Sequence, residues 1–214
     1  MRFFIVRHGE TDWNSEGRFQ GQKDIPLNER GIMQADAVSK RLAGHSFSAV
    51  VTSPLSRAKT TAEKIAERSF CGCFIVREAF TEINHGEWEG RLSKEVAASY
   101  STLLASWHSA PETVTMPGKF GESLKNVYDR VTAACDDIAR KYTGDVLLAS
   151  HDAVIKVLLC YWLNAPLSSF GRFQIPNCSI TIVDMSPSGE PRLCLLGDAS
   201  HIALSFDRPE QMGL

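Results

Sequence analysis

The chain predicts an α/β fold: a three-layer sandwich with a mostly parallel central sheet and a helical insertion over one end of it. Two observations carry that prediction. Short runs of β-branched and aromatic residues alternate with stretches of helical period along most of the chain, the pattern of a sheet covered by helices. The first run, Phe3-Phe4-Ile5-Val6, is apolar without a break, as a buried strand is. At 214 residues, without repeat, low-complexity tract or linker, one domain is the default. Its core is expected over about 1–80 and 121–205, and its insertion over about 81–120.

Gly9 ends the first strand, leaving Arg7 and His8 at its carboxyl end, where open α/β sheets place their ligands. Residues 10–22 are polar and glycine-punctuated and read as a long functional loop. A helix follows near 29–43, with Ile32, Ala35, Val38 and Leu42 inward and Gly44 as its stop. Residues 49–52 form a second strand. Ser53-Pro54 then reads as a helix start, with the serine oxygen capping and proline in the first turn. That puts Arg57 in the opening turn of a helix ending near Glu67, and a third strand covers 74–77.

Residues 79–90 have loop character and hold Glu82, His85 and Trp88. A helix is expected over 94–107, then a turn-rich connector over 111–121. Residues 123–142 show the clearest amphipathic helix, through Leu124, Val127, Val131, Ala134 and Ile138, closed by Gly144. A fourth strand over 145–150 leads to His151, and residues 154–163 read as a helix buried on most sides. Residues 179–184 and 192–196 form an edge hairpin joined through Pro187-Ser188-Gly189.

With 23 basic and 25 acidic residues the net charge is -2, which argues against a nucleic-acid partner held by bulk charge. The apolar runs are too short to span a bilayer, so no membrane partner is expected. The chain enters its first strand without a leader, and its six scattered cysteines suit reduced thiols, so a cytoplasmic location is expected. Cys71-Gly72-Cys73 lacks the second pair that a zinc site needs. No histidine pair has helical metal-ligand spacing and no phosphate-cradling glycine motif occurs. No metal and no cofactor are expected. Oligomeric state is left open, a homodimer included.

Parallel strands put their carboxyl ends on one rim, so Arg7, His8, Arg57 and His151 are expected to meet there. Taken singly, His151 reads as a core histidine and Arg57 as a solvated ion-pair residue. Together they form a cluster of positive charge that an anion would neutralise.

The opening Val6-Arg7-His8-Gly9-Glu10-Thr11, with Asn14 behind it, resembles the signature of the histidine phosphatase superfamily, in its phosphoglycerate-mutase-like branch. The resemblance continues through Arg18-Phe19-Gln20-Gly21, Asp24-Ile25-Pro26-Leu27-Asn28, Gly31, Ser53-Pro54-Leu55-Ser56-Arg57-Ala58, Glu82–Gly90, Gly121-Glu122-Ser123 and Ser150-His151, in the family's order. It implies a phosphomonoester hydrolase that acts on a small phosphorylated substrate through a phosphohistidine, without a metal. His8 would be the nucleophile, its other ring nitrogen held by the Gly9 carbonyl. Arg7, Arg57 and His151 would bind the phosphoryl oxygens, where charge spreads in the transition state. Asn14 would add a neutral donor, and Gln20 and Gly21 would line the pocket. Glu82 would be the general acid, its pKa raised by burial and by Trp88; Glu10 is the runner-up acid, and an ion pair to Arg7 or Arg57 is the rival role for Glu82.

The family usually has glycine after its second histidine, where this chain has Asp152. Asp152 is expected to cap the next helix; turned inward it would oppose a dianionic substrate and raise the pKa of His151. Two other functions stay open. One is a phosphoglycerate-type mutase, against which the short insertion and the Glu82–Gly90 stretch speak. The other is a non-catalytic protein that binds a phosphorylated ligand. His85, Trp88, Tyr100, Trp107 and His108 are lid candidates to face a leaving group, although Tyr100 and Trp107 have the spacing of packing residues.

Overall fold

The first strand, β1 (Arg2–Arg7), is buried along all but its first residue, and the rest of the molecule is built on it. The computed structural model describes residues 1–186 and 189–202. Along the described chain follow α1 (Asp12–Glu16), α2 (Glu29–Arg41), β2 (Ser46–Phe47), β3 (Ala49–Thr52), α3 (Ser56–Ala66), β4 (Phe70–Cys71) and β5 (Phe74–Val76). The second half holds α4 (Ser93–Ser99), α5 (Ser101–Ser109), α6 (Leu124–Lys141), β6 (Val146–Ser150), α7 (Asp152–Trp162), β7 (Ile180–Met185) and β8 (Pro191–Asp198).

Six strands form one sheet in the order β5-β3-β6-β1-β7-β8. β5, β3, β6 and β1 run parallel, while β7 and β8 are an antiparallel hairpin at one edge. Because successive side chains of a strand point to opposite faces, continuous apolar strands supply two cores. Phe3, Ile5, Val51 and Leu148 pack with α6 and α7 on one face. Phe4, Val6, Val50 and Leu147 pack with α2 and α3 on the other. The expected three-layer α/β sandwich stands, and the five inward residues named for α6 are all buried.

Several local expectations are corrected. The loop over 10–22 contains α1, started by a reciprocal cap between Thr11 and Asn14 and ended by Gly17 in the left-handed region. In α2, Ile32 is exposed, and Gly31 and Gln34 take buried places beside Ala35 and Val38. The tertiary reason is the segment after β1: Gln34 Oε1 accepts the Glu10 N–H at 2.8 Å, and a Cβ on Gly31 would stand 2.0 Å from the Glu10 carbonyl oxygen.

The helix after β3 begins at Ser56, later than Ser53-Pro54 implied, with Leu55 at the cap position; the Ser53 hydroxyl accepts the Leu55 N–H at 3.2 Å in the turn before the helix. The helix expected over 94–107 breaks at Tyr100 into α4 and α5. β2 and β4, a two-stranded parallel pair, were not read from the sequence. The cysteines are free, with Cys135, Cys160 and Cys178 buried and Cys194 exposed. Pro187 and Ser188 of the expected hairpin turn, and residues 203–205 of the expected core boundary, lie outside the described residues. Among the described residues no helix is long and apolar enough to cross a membrane.

Candidate active site

β3, β6 and β1 are adjacent and parallel, so their carboxyl ends open on one rim. The residues just beyond them meet there. A cleft is lined there by Arg7, His8, Asn14, Gly17, Arg18, Gln20, Gly21, Arg57, Glu82 and His85. Seven of the eight expected site residues line it; His151 stands behind the His8 ring, with centroids 5.2 Å apart.

The backbone at His8 is fixed from both sides. Its N–H donates to the Ser150 carbonyl at 2.9 Å, continuing the strand ladder, and its carbonyl accepts from Asn177 Nδ2 at 3.0 Å. The ring Nδ1–H donates to the Gly9 carbonyl at 2.6 Å, which leaves Nε2 with a free lone pair. Burial, followed by the charges of Arg57 and Arg7, holds the His8 pKa well below the ordinary imidazole range. A neutral, oriented imidazole between two arginines has the chemistry to act as a nucleophile toward a bound anion.

Arg57 is fully buried. Its Nη1 and Nη2 donate to the carbonyls of Lys23 and Gly21, each at 2.8 Å. Burial pushes its pKa down to about 10, against the pull of Glu82, so it stays charged at neutral pH. Arg7 donates from Nη1 to the Ile175 carbonyl at 2.7 Å. Asn14 Oδ1 accepts from the Thr11 N–H at 3.1 Å, which leaves the amide NH2 for the cleft. Gly21 has φ +56, and a Cβ there would stand 2.0 Å from Glu89 Oε1, so glycine is required at this bend.

Glu82 lines the cleft while Glu10 does not. Glu10 is occupied by Arg30 at 3.3 Å and by Asn28. The Glu82 pKa is raised, first by burial and then by the negative charge of Asp152; the Ile83 N–H, Arg57 and Arg7 oppose the rise. Its segment is clamped by Arg130, whose guanidinium donates to the carbonyls of Ala79 and Thr81 at 2.7 Å and of Glu82 at 3.2 Å. Glu122 in turn pairs with Arg130 at 2.9 Å. Arg130 was not singled out in the sequence, since it sits on a helix whose signal is amphipathic packing.

His151 Nε2 bonds the Ser53 hydroxyl at 2.8 Å, and the same oxygen accepts the Leu55 N–H at 3.2 Å. Burial, then Arg57, lowers the His151 pKa well below the ordinary range. Asp152 is corrected: His151 holds the cap position of α7, and Asp152 is turned inward as the next residue. There it meets Arg7 at 3.3 Å and Lys156 at 2.5 Å, and it does not raise the pKa of His151.

Of the lid candidates, His85 lines the cleft and burial pushes its pKa down to about 3. Trp107 packs on His85 and Phe170, Trp88 packs on Phe19 and Tyr100, and His108 is exposed. Arg18, quoted in the sequence only as part of a motif, is a wall residue whose Nη1 is held by the Gly90 carbonyl at 2.8 Å.

The family model described as histidine phosphatase superfamily (branch 1) matches residues 3–198. This chain belongs to that family. Phosphoserine phosphatase 1 of Hydrogenobacter thermophilus is 33% identical over 186 residues, covering 86% of this chain and 87% of the relative. A probable phosphoglycerate mutase, GpmB, of Escherichia coli is 34% identical over 192 residues, covering 88% and 86%. The solved structure of YhfR from Bacillus stearothermophilus superposes with a TM-score of 0.86 at 30% identity, covering 94% of this chain and 98% of that one. The expected phosphoglycerate-mutase-like architecture and the assignment as a phosphatase of the histidine phosphatase superfamily therefore stand. Among the described residues no three His, Cys, Asp or Glu side chains form a metal-ligating group.

Proposed function

We propose that this protein hydrolyses phosphomonoesters of small metabolites in the cytoplasm, through a phosphohistidine on His8 and without a metal. The observation that carries the reading is the His8 ring, tautomer-locked by Gly9 and set between the buried cations Arg7 and Arg57. In the first step the Nε2 lone pair attacks phosphorus and the ester P–O bond breaks. The departing alkoxide takes the Glu82 proton. In the second, the Glu82 carboxylate takes a proton from water, the water oxygen attacks phosphorus, and the N–P electron pair returns to Nε2 as phosphate leaves.

Arg7 and Arg57 hold the phosphoryl oxygens, where negative charge spreads in the transition state and planar donors act most strongly. The Asn14 amide and the Gln20-Gly21 turn complete the cradle, and His151 supplies a ring nitrogen from behind His8. In this reading residues 81–120 are the lid of a single domain whose core is 1–80 and 121–205.

A His8→Ala variant tests the nucleophile on p-nitrophenyl phosphate: a loss on the order of 10⁴-fold or more is expected. Equal rates in variant and wild type would leave a phospho-ligand binder as the better reading. The likeness to a probable phosphoglycerate mutase keeps phosphoryl return to a second substrate oxygen as an alternative. With 3-phosphoglycerate as substrate, free phosphate is expected to exceed isomer; dominant isomerisation would reverse the assignment.

A further inference from the structure

Asp152 and Lys156 are buried charges that take no part in the steps above, with 2% and 8% exposure. They lie one turn apart on α7. Asp152 Oδ1 is 3.3 Å from Arg7 Nη1 and its Oδ2 is 2.5 Å from Lys156 Nζ. Lys156 Nζ also stands 5.1 Å from the Phe170 ring centre. An alternating chain of charges, Lys156–Asp152–Arg7, thus runs from the helix behind the site to the guanidinium at its floor. Burying a carboxylate and an ammonium is costly before their attraction is counted, and neutral side chains of like size would pack there at lower cost. Packing alone therefore does not account for the pair.

We propose that Asp152 is a positioning residue, which fixes the Arg7 guanidinium between itself and the Ile175 carbonyl and, with Lys156 as its counter-charge, sets the charge that Glu82 meets. Glu82 is faced by Arg7 from β1, Arg57 from α3, Asp152 from α7 and the neutral rings of His8 and His85, while Arg130 of α6 binds its backbone. Among these, Asp152 is the negative charge, and it acts in the same direction as burial, which raises the Glu82 pKa.

The proposal rests on Glu82 acting as general acid, so the test includes a variant for each claim. Profiles of kcat/KM against pH are measured with β-glycerophosphate, whose poor leaving group needs the proton, for wild type, E82Q, D152N and K156M. Circular dichroism and melting confirm that each is folded. The wild type is expected to lose activity along a basic limb that E82Q abolishes. D152N should move that limb to lower pH and lower the plateau on the order of tenfold through the loosened Arg7. K156M, which leaves Asp152 less compensated, should move the limb to higher pH. If E82Q keeps the limb, the acid assignment fails. If E82Q removes it while the D152N limb coincides with wild type, or D152N and K156M move it the same way, the role given to Asp152 is overturned.

Discussion

Replacing Arg57 by lysine keeps a positive charge in the cleft but removes the fork that serves two purposes. In the native protein Nη1 and Nη2 reach the carbonyls of Lys23 and Gly21, each at 2.8 Å. A lysine ammonium is a compact point donor on a different stem, without the planar fork that spans both carbonyls, and is expected to leave one of them unmet. Lys23 is exposed and its carbonyl can turn to water, whereas Gly21 is buried. The buried carbonyl left unpaired costs about 1–3 kcal/mol, and at this chain length each kcal/mol lowers Tm by about 2–4 °C. The catalytic loss is separate. A planar donor aimed at transition-state oxygens is worth about 2.7–4 kcal/mol, or 10²–10³ in kcat. Arg57→Lys should therefore show a modest fall in Tm and a fall in kcat/KM of that order on p-nitrophenyl phosphate. A variant that melts early yet retains kcat/KM within about threefold of wild type would refute the reasoning, reducing Arg57 to a clamp on the Gln20–Lys23 turn.

Two further predictions concern stability. His8, His85 and His151 are held neutral in the fold, chiefly by burial, with His85 at about 3. Unfolded, they take up protons below about pH 6.5, so the unfolded state binds more protons there and stability falls as pH falls, approaching about 1.4 kcal/mol per pH unit for each histidine. Glu82 acts oppositely, since its raised folded pKa withdraws stability as pH climbs through that value. Urea unfolding between pH 8 and 5 should show the histidine loss setting in near pH 6.5; a flat profile from 6.5 to 5 would contradict it. Gly31→Ala sets two effects against each other. Helix propensity alone favours alanine by about 1 kcal/mol, but the new Cβ would lie 2.0 Å from the Glu10 carbonyl oxygen and 2.8 Å from its nitrogen, both backbone. The overlap should win, lowering Tm and, through the displaced segment after His8, kcat/KM. A raised Tm would show that the contact relaxes freely.

The candidate-site residues at the strand ends were the most legible. Arg7 and His8 sit where an apolar run stops at a glycine, and Arg57 and His151 follow two other strands. Strand-end placement and the family motifs both lead to them. Asn14, Gln20, Gly21 and Glu82 were readable only through the motif, because loop residues carry no periodicity from which their direction could be read. Ile32 shows the reverse failure: helical spacing marked it inward, but α2 turns its glycine and glutamine toward the segment after β1, leaving Ile32 at the surface. Ser53 serves the turn before the helix, accepting the Leu55 N–H at 3.2 Å, and also bonds His151 at 2.8 Å across the strand ends, a contact that local sequence does not reveal.

By itself the sequence determined the layered α/β fold, the parallel strands and the set of polar residues at their ends, because these follow from apolar runs, period and chain direction. Only the tertiary structure decided how those residues are poised. The clamp of Arg130 on the Glu82 segment, the bond from His151 to Ser53 and the inward turn of Asp152 toward Arg7 each depend on groups far apart in the chain. Burial and neighbouring charge are properties of position in space, and local sequence does not encode them.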